Sequence, residues 1–328
     1  MWILKFSITF IIGFSLSNGA PLVLTPYIEA GQIQIARNLA SVTGLTPELE
    51  SYSFFLTVDR ECDTNLFFWF FPSQNDWLND PVTIWLQGGP GLSSLKGLLQ
   101  EHGPYALNEN GELTLRENTI NRNSSVIYVD NPAGAGFSYS TFGCYDGDEV
   151  LDSQKIRVAL DQFFTLFPEL AGNPFYAAGE GYAGKFATLL AFDNHISENK
   201  TFIDYNLQGL ILNSGTIDPR HQFQVVDYMY FLGIADHMDR FLMEYFAYDV
   251  EQSCDGGDIG YCSYAYQNTF LHIISDACWF DNNNNILYAS GEPLPKIEPF
   301  VANTTVSAFK LSFLHNVKIE VNVPRDFV

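Results

Sequence analysis

The amino-acid sequence predicts an α/β fold in which helices flank a mostly parallel central sheet. Two features carry that expectation. Short apolar runs of strand length, at 81–86, 125–129, 174–178 and 207–212, each lead into a turn rich in glycine, asparagine or proline. Between them lie segments with helical spacing, clearest at 150–167, where Ile156, Leu160, Phe163, Phe164 and Phe167 recur on one face. Strands that alternate with helices pair in parallel, since each crossover returns the chain over a face of the sheet.

Taken in order, residues 1–20 have one early lysine, Lys5, an apolar stretch from Phe6 to Leu16, and small residues at Ser17, Gly19 and Ala20. This is the pattern of a secretory signal and is too short for a membrane span, so no membrane anchor is expected there. The α/β core is assigned to 21–218. Residues 32–40 have helix-compatible spacing. Residues 52–58 and 66–71 are aromatic-rich and bracket Asp-Arg-Glu-Cys-Asp at 59–63, which predicts a β-hairpin. The run Phe-Phe-Trp-Phe-Phe at 67–71 reads as a strand packed on both faces. The segment at 222–250 reads as helical, and residues 219–328 are expected, from the family resemblance that the motifs below carry, to be an insertion or lid followed by a truncated C-terminal region. There Val-Lys-Ile-Glu-Val-Asn-Val at 317–323 alternates as a strand does, a candidate to cover the edge left by 207–212.

With 328 residues, 47% of them hydrophobic, the chain can bury a large core. Against 38 acidic residues stand only 16 Lys and Arg, a net charge of −22, which excludes the basic surface that nucleic-acid binding needs. Five cysteines, Cys62, Cys144, Cys254, Cys262 and Cys278, have no Cys-X-X-Cys spacing, so a metal or redox motif is not expected and disulfides are. Their pairing stays open. Asn123, Asn199 and Asn303 begin sequons and are candidate glycan sites if the chain is secreted.

The densest motif is Pro-Phe-Tyr-Ala-Ala-Gly-Glu-Gly-Tyr-Ala-Gly-Lys-Phe at 174–186: a strand, a sharp turn of small residues, then a helix. Together with Trp-Leu-Gln-Gly-Gly-Pro-Gly at 85–91, Asn-Leu-Phe-Phe-Trp-Phe-Phe-Pro at 65–72 and Glu-His-Gly-Pro-Tyr at 101–105, it resembles the serine carboxypeptidases, in their vitellogenic carboxypeptidase-like branch. That resemblance covers 22–250 well and implies an α/β-hydrolase fold and removal of C-terminal residues from peptides at acid pH. It implies no cofactor.

It also assigns residues. The nucleophile position falls on Gly181, where the family has serine. Backbone N–H groups of Gly89 and Tyr182 match the oxyanion hole, and Gln87, Glu101 and Glu180 match the amide and two carboxyls that hold a substrate's terminal carboxylate. Crowded carboxyls are expected to have raised pKa values. The acid and base of the triad would lie beyond the insertion, and none of His102, His195, His221, His237, His272 and His315 matches. Ser93, Ser94 and Ser138 have no base placed beside them by any motif. Glycine at the apex of a strained turn is expected to relax it.

Three functional readings follow from the resemblance. The first is a secreted, catalytically inactive homologue that binds peptide C-termini or a protein partner, with a homodimer open and a lysosomal or other acidic compartment as the alternative location. The second is an active serine-type carboxypeptidase completed by a longer product or another chain. The third is a structural or storage glycoprotein.

Overall fold

The computed structural model describes residues 21–88, 91–108, 112–145, 148–196, 205–218, 222, 226–233 and 236–255. The expectations at 1–20 and 317–323 lie outside the described residues, as do Gly89, Asn199, Asn303, Cys262 and Cys278. The described residues begin with two short helices, α1 (Thr25–Glu29) and α2 (Ile33–Ala40), and the predicted hairpin, β1 (Tyr52–Asp59) and β2 (Thr64–Phe71). Then come β3 (Val82–Leu86), a π-helical turn at Gly97–Glu101, the short pair β4 (Tyr105–Leu107) and β5 (Leu113–Leu115), β6 (Ser125–Val129) and β7 (Tyr139–Ser140). Helix α3 (Glu149–Leu166), strand β8 (Phe175–Glu180), helix α4 (Ala183–Ile196) and strand β9 (Leu207–Asn213) complete the core, and α5 (Val226–Phe231) and α6 (His237–Asp255) follow.

The main sheet runs β1-β2-β6-β3-β8-β9, with β7 on β2. From β6 to β9 every neighbour pair is parallel, while β1, β2 and β7 add antiparallel strands at one side. The parallel strands end together, so the turns after β3, β6, β8 and β9 gather along one rim of the sheet. Catalytic and binding groups in open parallel sheets concentrate at that carboxyl rim.

Both faces of the sheet are filled. On one, α3 and α4 pack Ile156, Leu160, Phe163 and Leu190 over Phe68, Phe70, Ile84 and Ala177. On the other, Phe67, Trp69, Trp85 and Tyr128 meet Leu95, Leu98 and Tyr105. This explains why all of β2 is buried: its alternate side chains enter different cores. Phe70 is fully buried, with its ring 5.0 Å from Phe163 and 4.9 Å from Phe167.

A disulfide joins Cys62, in the hairpin turn, to Cys144, which resolves one pairing the sequence leaves open. Helix α3 starts where Asp148 accepts from the Val150 and Leu151 amides, a side-chain cap. Among the described residues the outer edge of β9 carries no further strand, and Leu210, Ile211 and Leu212 are exposed there. Among the described residues, no helix is long and apolar enough to cross a membrane.

Replacing Phe70 by alanine should lower unfolding stability by about 3–5 kcal/mol, the cost of truncating a buried aromatic ring between packed layers. Denaturant titration of the two proteins checks this; a loss below about 1 kcal/mol would contradict the packing described.

Candidate functional site

The rim is assembled by backbone contacts that tolerate no side chain. A Cβ on Gly88, just beyond β3, would overlap the Glu180 carbonyl and the amide nitrogens of Tyr182 and Ala183. A Cβ on Gly184 would lie 2.8 Å from the Gly215 Cα. Glycine at these points lets the ends of β3, β8 and β9 approach the start of α4. Gly181 occupies the apex between β8 and α4 with φ +55°, in the left-handed region, and a Cβ there would meet nothing within 4 Å. Its N–H donates to the Asn213 carbonyl at 3.0 Å and its carbonyl accepts from Thr216 at 2.8 Å, tying the elbow to the turn after β9.

Gln87, Glu101 and Glu180 come together beside this elbow. Gln87 Nε2 donates to Glu180 Oε1 at 2.8 Å, and its Oε1 accepts from Trp85 Nε1 at 3.0 Å, which fixes the direction of the amide. Asn213 Nδ2 donates to the other Glu180 oxygen at 2.9 Å. At the centre lies a residue that the sequence did not single out. Lys96 Nζ contacts Glu180 Oε1 at 2.7 Å and also donates to Glu101 Oε1.

The π-helical turn explains this meeting. Lys96 and Glu101 are five residues apart, a spacing that an α-helix turns onto different sides and a π turn brings nearly into line. The His102 amide donates to the Gly97 carbonyl at 3.0 Å, the five-residue step itself. Gly97 is required there because a Cβ would overlap the Trp85 indole.

Charge in the cluster is split. Burial raises the Glu101 carboxyl above its ordinary range and prevails over the nearby Lys96 ammonium. For Glu180, burial also acts to raise the value, but the hydrogen bond and field of the Lys96 ammonium, with hydrogen bonds from Glu101 and Gln87, outweigh it and hold the carboxyl below its ordinary range. The expectation that both crowded carboxyls are raised is therefore corrected for Glu180, and the first reason is Lys96. Burial acts to lower the ammonium's own value, yet Glu101 and Glu180 together raise it, so it stays charged. Its neighbour His102 packs edge-on to Trp85 with ring centroids 4.0 Å apart, and burial pushes its imidazole down to about 4.

The hydroxyls of Ser93, Ser94 and Ser138 are structural. Ser93 Oγ donates to Asp130 Oδ1 at 2.8 Å, Ser94 Oγ to the Val129 carbonyl at 2.5 Å, and Ser138 Oγ to the Asp130 carbonyl at 2.6 Å. Asp130, at the end of β6, also accepts from the Ser94 and Phe137 amides, each at 2.8 Å, and so clamps two rim loops together. Burial pushes its carboxyl up to about 6 against these donors. Tyr182 directs its hydroxyl to Glu149 on α3, which also accepts from Lys185 Nζ at 2.9 Å. Asn123 is exposed, as a glycan site must be. Among the described residues no group of three or more His, Cys, Asp and Glu side chains is arranged to hold a metal ion.

Comparison with known proteins gives this geometry a context. Residues 42–283 match the family model described as serine carboxypeptidase. The vitellogenic carboxypeptidase of Aedes aegypti is 41% identical over 226 residues, 67% of this chain and 46% of that protein. The venom serine carboxypeptidase of Apis mellifera is 42% identical over 228 residues, 69% of this chain and 49% of that protein. This chain thus spans about half the length of the curated relatives it matches. A solved prohormone-processing carboxypeptidase from Saccharomyces cerevisiae shares the fold at 23% identity, with a TM-score of 0.63 over 74% of this chain and 58% of that one.

Two outcomes are expected from the site's geometry. A Gly181→Ser variant has room for its side chain but must hold a positive φ, so it should be about 1–2 kcal/mol less stable. A melting temperature at or above that of the wild type would contradict this. Asp130 has a folded pKa near 6 against an ordinary 3.8, so its contribution to stability is fully present below about pH 4 and is lost as pH rises through 6. Relative to Asp130→Asn, the wild type should lose on the order of 2–3 kcal/mol between about pH 4 and pH 7 in urea titrations. A pH-independent difference between the two proteins would contradict the burial argument.

Proposed function

Since this chain belongs to the serine carboxypeptidase family and has the α/β-hydrolase fold, we propose that it is a secreted, non-catalytic member that retains recognition of peptide C-termini. One observation carries the reading. The turn at which the family resemblance puts a serine holds Gly181, which has no side chain, while Gln87, Glu101 and Glu180 stand assembled beside it.

Acyl transfer by this type of enzyme needs a nucleophile paired to a base. Gly181 offers none, and Ser93, Ser94 and Ser138 are buried in hydrogen bonds that hold the rim together. His102 is neutral above about pH 4 and engages Trp85 and Tyr128 rather than a hydroxyl on the elbow. Binding asks less of the site. A terminal carboxylate needs donors, and the cluster contains two amides and an ammonium.

Secretion is supported by the apolar N-terminal pattern at 1–20 and by the Cys62–Cys144 disulfide, a bond that persists in oxidising compartments. An acidic endomembrane compartment supplies the same redox environment.

Purified wild type should release no C-terminal residue from a mixed peptide set between about pH 4 and 6, the acid range toward which a raised carboxyl extends its protonation. Release above the level of a protein-free control would overturn the non-catalytic reading. In calorimetry, peptides with a free C-terminus should bind at least about tenfold more tightly than their amidated forms, the discrimination expected when charge-assisted bonds are lost. Equal affinity for the two would remove the carboxylate from the account.

A further inference from the structure

The amide and two carboxyls of the rim surround a full positive charge, and that charge alters what the cluster needs in order to hold an anion. We propose that Lys96 sets the pH range of the site, so that this chain captures peptide carboxylates with one protonated carboxyl in the cluster instead of two. The inference rests on the carboxylate-binding reading above and names the residue that governs it.

The geometry begins with Glu180. Its Oε1 accepts from Lys96 Nζ and Gln87 Nε2, and its Oε2 from Asn213 Nδ2, so every donor around it favours the ionised carboxylate. An ionised Glu180 cannot donate a hydrogen to a ligand. Donors to an incoming carboxylate must therefore come from Lys96, from the amides of Gln87 and Asn213, and from Glu101 when it is protonated.

Glu101 is suited to that last part. Its Oε1 faces the ammonium, its Oε2 is buried with no donor of its own among the described residues, and its carboxyl lies against that of Glu180, with which a proton on Glu101 can be shared until a ligand carboxylate takes it. A proton on Glu101 relieves the charge of a carboxyl whose second oxygen has no donor. With both carboxyls ionised, the Lys96–Glu101–Glu180 group carries −1, and with Glu101 protonated it is neutral. Replace the ammonium by an uncharged side chain and the same states carry −2 and −1, so a second proton is needed before an anion meets a neutral site.

The other charged and titratable groups facing this cluster do not supply the difference. His102 is buried against Trp85 and neutral above about pH 4. Arg116 is committed to the Gly103, Leu99 and Tyr105 carbonyls. Tyr128 is fully buried, and burial raises its phenol far above the range considered.

The test is calorimetry of wild type, Lys96→Met and Lys96→Arg with a free-carboxylate pentapeptide and its amidated twin, at about pH 4.5 and 6.5, the lower of which favours the protonated form of a raised carboxyl more than the higher. Lys96→Met is expected to bind the free peptide more weakly than wild type at both pH values, because a charged donor is lost, with a deficit at least about tenfold larger at the higher pH, where no added proton offsets the missing charge. Lys96→Arg, which keeps the charge, should recover most of the affinity at the higher pH. Loss of affinity by Lys96→Met to the same extent at both pH values would show a lysine that donates to the ligand or shapes the site without setting its pH range. Tighter binding by Lys96→Met at the higher pH would show that the ammonium blocks the site. Either result overturns the inference while leaving carboxylate binding in place. If wild type fails to distinguish the free from the amidated peptide at both pH values, the underlying reading falls, and the inference falls with it.

Discussion

Close approach of backbone at the elbow is the constraint on which the rest of the rim depends. Gly88 lies against the Glu180 carbonyl and the first amides of α4, and Gly184 lies against Gly215. Side chains at these positions would push β3, β9 and α4 apart. Because they are glycine, the last residues of three strands meet within hydrogen-bond distance: Gln87 follows β3, Glu180 ends β8 and Asn213 ends β9. Parallel pairing aligns the strands, and the glycines bring the polar ends together.

A second layer of control comes from the loop between β3 and β4. The Asp130 clamp holds Ser93 and Ser94, and the π turn that follows places Lys96 over Glu101. One cation between two partly buried carboxyls is a different object from a pair of crowded acids. Two acids alone share a proton, and one pKa rises well above the other. Here Lys96 and its neighbouring donors hold the Glu180 carboxyl below its ordinary range, while burial keeps that of Glu101 above its own. Gly181 beside this cluster leaves a site with recognition groups and, at the elbow, no reacting atom.

Much of the fold was legible because its strands are buried runs. Residues 125–129 coincide with β6, and 52–58, 66–71, 81–86 and 207–212 differ from β1, β2, β3 and β9 by a residue or two at their ends. The β4–β5 pair was missed because its strands are three residues long and half-exposed, with no alternation to read. In the site, Gln87, Glu101 and Glu180 were legible through motifs, and the structure brings all three together. Lys96 and Asn213 were not. A single lysine in a leucine-rich segment reads as a solvated side chain, and only the five-residue step of the π turn aims it at Glu101. Asn213 reads as a turn former after a strand, and only the β8–β9 register puts its amide on Glu180. The error on Glu180 has the same origin, since its pKa depends on a cation the sequence had not placed.

The central claim is that the cluster around Lys96 is a working receptor for a carboxylate beside an elbow without a nucleophile. A crystal structure of the full chain with a short free-carboxylate peptide tests it most directly. The account predicts the terminal carboxylate within about 3.5 Å of Lys96 Nζ and of the Gln87 or Asn213 amide, with the peptide uncleaved beside Gly181. A peptide bound elsewhere, with Lys96 still closed on Glu101 and Glu180, would contradict it.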